Sequence, residues 1–389
     1  MKIFYDELGF VQTHGGVSRY FAEMIKRLPV DMECKIAVAS TRNAYLQHEP
    51  FNIPRMEHSL LDFTSRIPVA LLGRVLARLY QAYGNVLPFG SRFDEIRNRR
   101  LREDIISKGD FDLFHLTDPH PRWNSWRNIV GRRPIVATVH DLIPEIFYPH
   151  DLLIKRMRRR LLADASHIIA VSEHTKQDIM KYYAVPAEKI SVVYHGYLPN
   201  VEFCSIVEGL PEKYILYVGK RAFGKNYMLF QNAVIDLLKE DVGLSLFLTG
   251  DALSPYESDT FRKAGVSSRV VQRFLSDGEM RYVFSHASVF VCPSRYEGFG
   301  IPVLDAFAAG CPVVLSDASC LPEVGGDAAL YFRVNDVEDL KRQILRVLSD
   351  VGLADELRAR GLVRAKEFSW DKCAKETAEV YRRVLSSWV

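Results

Sequence analysis

Short apolar runs alternate with stretches of helical periodicity along the whole of this 389-residue chain. The stretch Tyr20–Leu28 is typical of the helical kind, because its apolar side chains recur every three or four positions and so share one face. In the first half of the chain, the runs that predict strands are Lys2–Tyr5, Cys34–Ala39, Leu113–Leu116, Ile135–Val139, His167–Val171 and Ile190–Val193. Strands that alternate with helices in this way predict an α/β fold with parallel sheets.

The pattern breaks at His195–Pro211, a segment rich in glycine and proline, and a second series begins directly after it. The strands predicted in this series are Tyr214–Val218, Leu244–Thr249, Val270–Gln272, Ser288–Cys292 and Pro312–Leu315. Ser369 suits the N-cap of a last helix that runs to the C-terminus. We therefore predict two doubly wound, Rossmann-like domains joined by a hinge, with residues 1–196 in the first and residues 197–369 in the second.

The composition, with 48% hydrophobic and 25% charged residues, is ordinary for a globular protein. The formal charge of +3 is unevenly divided: residues 1–196 contain 28 Lys and Arg against 22 Asp and Glu, and the remainder contains 23 against 26. A mildly basic first half allows contact with an anionic partner such as a membrane surface, although solvated side chains explain the same excess.

The six cysteines form no Cys-x-x-Cys pair and no spacing typical of disulfides, which favours the reducing cytoplasm. Asp6 and Glu7 stand where a signal peptide needs an apolar run, and no stretch reaches the ~18 apolar residues of a membrane span. Residues 67–83 come nearest, and Arg74 and Arg78 interrupt them, which predicts an amphipathic helix docked on its own domain or lying at a membrane surface. We expect a cytoplasmic location, with peripheral contact at the inner face of the membrane as an open alternative.

The strongest candidate for a ligand-binding segment follows the fourth strand of the second series. It reads Ser294-Arg-Tyr-Glu297-Gly-Phe-Gly-Ile-Pro302-Val-Leu-Asp305. Gly298 and Gly300 let the backbone turn tightly and approach a ligand. Pro302 suits the first turn of a helix. The N–H groups of Phe299–Ile301 are therefore expected at a helix N-terminus, where an anion such as a diphosphate binds.

Glu297 and Asp305 flank this turn, eight positions apart. Both carboxylates can accept hydrogen bonds from the hydroxyls of one ligand. Two acids near a helix N-terminus can instead serve only to cap the helix and compensate its dipole. The glycines and the proline between them favour the ligand-binding interpretation.

A second loop, Gly219-Lys220-Arg221-Ala-Phe-Gly224-Lys225, follows the first strand of the second series. Cations on a glycine-containing loop between a strand and a helix suit a pyrophosphate leaving group, whose charge they neutralise as its bond to a sugar breaks. The spacing is not that of a Walker loop. A solvated basic loop is the simpler alternative.

Other candidate chemistry is weaker. Asp110-Phe-Asp112 imitates an Asp-x-Asp metal-binding motif, but it precedes a predicted strand, which is the wrong end for a ligand, so we expect no metal ion. The basic run Lys155–Arg160 lacks interleaved aromatic residues, which favours solvent or an anionic lipid carrier over nucleic acid. No Gly-x-Ser-x-Gly motif offers a serine nucleophile.

Six motifs of the second half together resemble the retaining glycosyltransferases of family 4, which have the GT-B fold. They are Ser276-Asp-Gly-Glu279, Ser288-Val-Phe-Val-Cys-Pro-Ser294, Glu297-Gly-Phe-Gly-Ile-Pro302, Gly310-Cys-Pro-Val-Val314, Leu321-Pro-Glu-Val324 and Gly326-Asp-Ala-Ala329. The resemblance extends over nearly the whole chain. It implies two Rossmann-like domains facing a cleft, the first binding the acceptor and the second the nucleotide-sugar donor. The C-terminal helix, residues 370–389, is expected to cross back to the first domain.

The resemblance also implies roles for particular residues. Glu297 matches the family's glutamate for the sugar hydroxyls, and Asp305 matches its second, ribose-binding acid, here shortened from Glu. Arg221 and Lys225 match the cations at the diphosphate.

Two further sites come from the first half of the chain. Gly15 and Gly16 match the family's glycine-rich first loop, which contacts the transferred sugar or phosphate, although a Gly-Gly pair also makes a plain turn. His140 follows the predicted strand Ile135–Val139 and matches a histidine close to the sugar and the reacting carbon. A structural hydrogen bond is the alternative for this histidine.

We therefore expect a metal-independent, retaining hexosyltransferase that needs no cofactor and has no nucleic-acid partner. Its acceptor is expected to be a saccharide or lipid-linked saccharide of a surface polysaccharide such as lipopolysaccharide. Gly15-Gly-Val-Ser-Arg-Tyr20 and Cys320-Leu-Pro-Glu323 look most like bacterial mannosyltransferases, which implies GDP-mannose as donor. The alternatives are a UDP-sugar donor, a nucleotide-sugar epimerase of the same fold, and a non-catalytic sugar-binding module.

Overall fold

The computed structural model describes residues 1–10, 15–39, 41, 43–53, 89–118, 130, 133–197, 205–221 and 223–388, with residues 89–95 and 223 described in their backbone alone. The helix predicted at residues 67–83 lies outside these ranges. The chain divides into two compact units. Unit 1 comprises Met1–Val139, Leu153–Ile169 and Ala374–Val389, and unit 2 comprises His140–Leu152 and Ala170–Cys373. The predicted domain boundary at residue 196 stays a prediction.

The first sheet has the predicted parallel α/β pattern. Its strands are β1 Lys2–Tyr5, β2 Glu33–Ile36, β3 Leu113–Leu116, β4 Ile135–Val139, β5 His167–Ala170 and β6 Ile190–Val192, in the order β2-β1-β3-β4-β5-β6. β1 pairs in parallel with β2 and β3, and β3 pairs in parallel with β4. β2 ends at Ile36, before its predicted end at Ala39, because its partner β1 ends at Tyr5, which pairs with Ile36.

The second sheet contains all five strands predicted for it, each end within one residue of its predicted position. The strands are β7 Tyr214–Tyr217, β8 Ser245–Thr249, β9 Val270–Arg273, β10 Val289–Cys292, β11 Val313–Ser316 and β12 Leu330–Phe332, in the order β12-β11-β10-β7-β8-β9. β12 was not predicted. It is an edge strand of three residues, too short to establish a strand period.

Helices alternate with the strands as the sequence predicts. They are Gly16–Ile25, Phe89–Lys108, Ile143–Phe147, Leu152–Asp164, Glu173–Tyr183, Tyr227–Glu240, Pro255–Lys263, Asp277–His286, Ile301–Ala308, Leu321–Gly325, Val337–Ser349, Val351–Ala365 and Trp370–Ser386. Ser369 caps the last helix as predicted, because its Oγ accepts the N–H of Lys372 at 3.1 Å. In the described part of the chain, no helix is both long and apolar enough to cross a lipid bilayer.

Both faces of the second sheet are buried. Along β7, Tyr214 and Leu216 enter one hydrophobic cluster, whereas Ile215 and Tyr217 enter another. Successive side chains of a strand point to opposite faces, so a strand that is covered on both sides needs an unbroken apolar run. This double burial is the reason why these short strands could be recognised in the sequence.

The last helix contributes to a buried polar network in unit 1. Tyr381 Oη lies 2.8 Å from Tyr5 Oη and also contacts Nδ1 of His115, while Nε2 of His115 lies 2.8 Å from Thr138 Oγ1. All four side chains are buried. Each polar atom named here has a partner, as burial requires, and the last helix therefore contributes Tyr381 to the core of unit 1.

The Asp-x-Asp pair before β3 binds lysines. Asp110 forms ion pairs with Lys2 and Lys35, and Asp112 Oδ2 accepts the N–H of Lys2 at 2.7 Å. The hydrogen bond from Lys2 and then that from Lys35 lower the pKa of Asp110 to about 2. Within the residues that the structure describes, no group of three or more His, Cys, Asp or Glu could hold a metal ion.

We predict that Asp110→Asn lowers the midpoint of thermal unfolding by only ~1 °C at pH 7, because both ion pairs of Asp110 are exposed and screened by solvent. The pKa of Asp110 is lower in the folded protein than its ordinary value of 3.8, so its contribution to stability is complete above about pH 4 and is lost as the pH falls towards 2. The difference between wild type and variant should therefore close over that range in a pH series of unfolding scans. Glu379→Gln, an exposed change in unit 1, is the control. A difference that persists unchanged at pH 2 would contradict the prediction.

Candidate active site

The second sheet reverses its strand order between β7 and β10. From β7 the order continues through β8 to β9 on one side, and from β10 it continues through β11 to β12 on the other. In open parallel sheets, ligands bind beyond the carboxyl ends of the strands at such a reversal. Arg221 and Lys225 follow β7, and Glu297 follows β10, so the topology brings the predicted residues to this one edge of the sheet.

The turn after β10 leads into the predicted helix, Ile301–Ala308. Gly300 is its N-cap and has a φ of 93°, a left-handed conformation that favours glycine. Pro302 lies in the first turn, where it removes no helical hydrogen bond. The first N–H groups of an α-helix generally have no carbonyl partner within the helix, which is what an anion site requires. In this helix Pro302 has no N–H, and the N–H of Val303 donates to the carbonyl of Gly300 at 2.9 Å.

The Glu297 carboxylate is held by a cation and a hydroxyl. Lys225 Nζ donates to both carboxylate oxygens, at 2.6 and 2.7 Å, and Ser294 Oγ donates to Oε1 at 2.6 Å. The backbone is held as well, because the N–H of Glu297 donates to Ser319 Oγ at 2.9 Å and its carbonyl accepts from Cys320 Sγ at 3.2 Å. The protein itself therefore sets the orientation of this carboxylate.

The two charges of the Lys225–Glu297 pair are partly shielded from solvent. The exposed fraction of the side chain is 34% for Lys225 and 14% for Glu297. Burial by itself lowers the pKa of Lys225, but the Glu297 carboxylate outweighs burial, and the pKa is raised above its ordinary value. Lys225 is therefore a fixed positive charge at neutral pH.

Gly298 lies against the backbone of His140. A Cβ atom at Gly298 would be only 1.7 Å from the carbonyl oxygen of His140. The Gly298 carbonyl also accepts hydrogen bonds from Ser172 Oγ at 2.8 Å and from Thr175 Oγ1 at 3.2 Å. The structure thus brings the histidine at the end of β4 to the turn after β10, within unit 2.

Phe299 continues the turn into a group of packed rings. The ring of His195 lies 4.6 Å from that of Phe299 and 5.8 Å from that of Trp370, and the rings of His195 and His140 are 6.2 Å apart. A Cβ atom at Gly196 would lie 2.1 Å from the backbone nitrogen of Trp370, so this packing also requires glycine. Ring packing therefore fixes Phe299 and keeps His195 next to His140.

Arg221 binds a different acid. Its Nε donates to Glu257 Oε1 at 2.7 Å, and its Nη2 donates to the carbonyls of Asp251 and Ala252. The side chain is 6% exposed, and Nη1 has no hydrogen-bond partner among the described residues. The structure therefore joins the two predicted cations to different carboxylates.

The remaining predicted residues lie at or near helix starts. Asp305 is half-buried and is the fifth residue of the helix Ile301–Ala308. Gly15 and Gly16 belong to unit 1, where Gly16 begins the helix Gly16–Ile25. The carbonyl of Gly15 accepts the N–H of Arg19 at 2.9 Å in the first turn of that helix.

Sequence reasoning missed residues that hold the site's side chains. Glu257 pairs with Arg221, and Ser319 accepts the N–H of Glu297 from a left-handed conformation with φ of 54°. Glu257 completes the capping box that begins at Ser254, a readable signal for a helix start but not for a partner of Arg221. No local pattern marks Ser319.

Comparisons with known proteins match the chain over most of its length. Residues 14–199 match the family described as Glycosyltransferase Family 4, and residues 205–364 match the family described as Glycosyl transferases group 1. O-antigen chain mannosyltransferase B of Escherichia coli is 32% identical, over 94% of this chain and 96% of its own length. MMP alpha-(1->4)-mannosyltransferase of Mycolicibacterium hassiacum is 27% identical, over 92% of this chain and 88% of its own length.

Solved structures share the fold at low sequence identity. Anabaena HepE, crystallised in complex with UDP and glucose, has a TM-score of 0.72 at 16% identity, over 98% of this chain and 99% of its own. Sucrose-phosphate synthase from Thermosynechococcus elongatus has a TM-score of 0.72 at 18% identity, over 99% of each chain. The predicted GT-B fold class is confirmed.

We predict that Gly298→Ala destabilises unit 2 by about 1–3 kcal/mol, because the new Cβ would overlap the His140 carbonyl oxygen and both segments would have to separate. Urea unfolding followed by tryptophan fluorescence measures this. The matched control is Gly352→Ala, where the nearest atom to the new Cβ is Asp350 Oδ1 at 3.4 Å. Equal unfolding midpoints for the two variants would contradict the contact.

Proposed function

Because this chain belongs to the family 4 glycosyltransferases, we propose that it transfers mannose from GDP-mannose, with retention of configuration, to a saccharide or lipid-linked saccharide acceptor of a surface polysaccharide. The donor is proposed to bind to residues 197–369 and the acceptor to residues 1–196. The sequence relatives described above are mannosyltransferases by name, which supports the choice of sugar.

The observation that carries the proposal is the Lys225–Glu297 pair at the strand-order reversal of the second sheet. It places a fixed ammonium group and an oriented carboxylate side by side, next to the start of the helix Ile301–Ala308. A sugar diphosphate needs these three elements together. Its hydroxyls need acceptors, and its phosphates need cations and free N–H groups.

We assign the donor contacts as follows. Glu297 accepts hydrogen bonds from hydroxyls of the transferred sugar, and Asp305 does so from the ribose. Lys225 and Arg221 neutralise the diphosphate, and the N–H groups of residues 299–301 donate hydrogen bonds to it. The loop at Gly15 and Gly16 contacts the transferred sugar or phosphate through its backbone.

The reaction breaks the bond between the anomeric carbon and the phosphate oxygen and forms a bond to the acceptor oxygen on the same face of the sugar. The acceptor hydroxyl gives its proton to the departing phosphate, so no side chain needs to act as a base. The cations stabilise the negative charge that grows on the leaving group. His140 orients the sugar and supports the positive charge that develops at the reacting carbon.

Other functions are less well supported. A UDP-sugar donor is the second candidate, because HepE was crystallised with UDP. A nucleotide-sugar epimerase would need side chains that eliminate and re-add the nucleotide, and a binding module would not turn over its donor. We further propose that the protein acts in the cytoplasm, needs no metal ion, and contacts the membrane only peripherally.

Ligand binding is expected to raise the midpoint of thermal unfolding, because a ligand that binds only the folded state stabilises it by mass action. At a concentration of about 100 times Kd, the gain is ~2.7 kcal/mol. We predict larger shifts with GDP and GDP-mannose than with UDP, UDP-glucose or ADP. A larger shift with UDP would favour the second candidate, and the absence of any shift would contradict a donor site.

Glu297→Gln should reduce kcat/KM for mannosyl transfer by about 10²–10³-fold, since an oriented charged acceptor is lost and Lys225 loses its partner. Glu297→Ala should abolish transfer and hydrolysis of the donor. Radiolabelled product formation measures both. Glu212→Gln, an exposed change in unit 2, should leave the rate unchanged. If Glu297→Gln transfers at the wild-type rate, the assignment of the site is wrong.

A further inference from the structure

The segment after β4 carries His140, and its backbone is anchored at two points within unit 2. The first point is the contact between the His140 carbonyl and Gly298. The second lies two residues further on, where the N–H of Leu142 donates to Tyr296 Oη at 3.3 Å. Leu142 is fully buried, so its N–H depends on this protein acceptor.

The Tyr296 hydroxyl has a second partner. It donates to Asp178 Oδ2 at 2.8 Å, and the side chains of Tyr296 and Asp178 are both buried. A phenol carries one proton to donate and has lone pairs that accept, so it can satisfy the carboxylate and the Leu142 N–H at once. His174 Nε2 lies 3.4 Å from the same Asp178 oxygen. The hydroxyl thus connects the helix Glu173–Tyr183 to the segment that carries His140.

We propose that Tyr296 is a positioning residue, whose hydroxyl holds the Leu142 N–H and thereby keeps His140 where it supports glycosyl transfer. This inference rests on the proposed function, because it takes His140 to act beside the sugar. Tyr296 directly precedes Glu297, so one turn carries the sugar-binding carboxylate and also fixes the histidine. Two parts of the site that are far apart in sequence are held as a single unit.

The protonation of Tyr296 agrees with this role. Burial, and then the Asp178 carboxylate, raise the pKa of Tyr296 far above its usual value, so the hydroxyl keeps its proton. That proton is bonded to Asp178, and only a lone pair faces Leu142. Tyr296 therefore acts by holding the backbone and not by giving a proton to the substrate.

The test is Tyr296→Phe, which removes one oxygen and keeps the ring. We expect kcat to fall about 10- to 100-fold, because a displacement of about 1 Å at a reacting group is enough for such a loss. The donor KM should change by less than about twofold, since Glu297 and Lys225 remain in place. Hydrogen exchange at the Leu142 amide should become faster, a readout that needs no activity.

Tyr214→Phe is the matched control. Tyr214 is a buried tyrosine of β7, and its hydroxyl donates to the carbonyl of Val283. Its replacement should lower the unfolding midpoint much as Tyr296→Phe does, but should leave kcat unchanged. Asp178→Asn keeps an acceptor for the Tyr296 hydroxyl and should retain more of kcat than Tyr296→Phe.

Two outcomes overturn the proposal: a kcat for Tyr296→Phe within about twofold of wild type, or an equal loss of kcat in Tyr214→Phe. His140→Ala separates this failure from that of the proposed function. If His140→Ala transfers the sugar slowly while Tyr296→Phe has the wild-type kcat, only the role of Tyr296 is contradicted. Transfer by His140→Ala at the wild-type rate contradicts the role proposed for the histidine, and the positioning role falls with it.

Discussion

The backbone of Gly298 and the carbonyl oxygen of His140 approach each other so closely that no side chain fits between them, and the geometry of the site depends on this contact. The two glycines of this turn, Gly298 and Gly300, are required for different reasons. Gly300 is needed for its left-handed φ, whereas Gly298 is needed for space. The close approach predicted for Gly298 is an approach to the protein's own backbone, and Ser172 and Thr175 reinforce it through the Gly298 carbonyl.

Charge pairing is the second constraint on the site. The Arg221 side chain is buried and that of Lys225 is partly shielded from solvent, and a cation that is removed from water without a partner is costly. Glu297 pairs with Lys225 and Glu257 pairs with Arg221, so both cations are held by carboxylates near the strand-order reversal. In the proposed donor complex, a diphosphate replaces the protein carboxylates beside these cations with its own oxygens. Its affinity therefore depends on the difference between the two sets of contacts and not on the cations alone.

The strands that are buried on both faces were predicted most accurately, because burial constrains their sequence most strongly. The strands of the second sheet, which are covered on both faces, were located to within a residue. The misses are both edge strands: β2 is shorter than predicted, and β12 was not predicted, whereas the edge strands β6 and β9 lie within one residue of their predicted bounds. An edge strand is paired on one side only, so its length follows from its neighbour and not from its own apolar pattern.

The sequence by itself determined the α/β pattern, the turn Glu297–Pro302, and the candidacy of Lys225 and His140, because these are local signals carried by a few adjacent residues and by their place after a strand. Only the tertiary structure decided which groups hold them. The Arg221–Glu257 pair, the Lys225–Glu297 pair and the bonds of the Tyr296 hydroxyl join residues that are 36 to 154 positions apart. No local pattern encodes such partners, because the packing of separate elements, and not the periodicity within one, brings them within hydrogen-bonding distance.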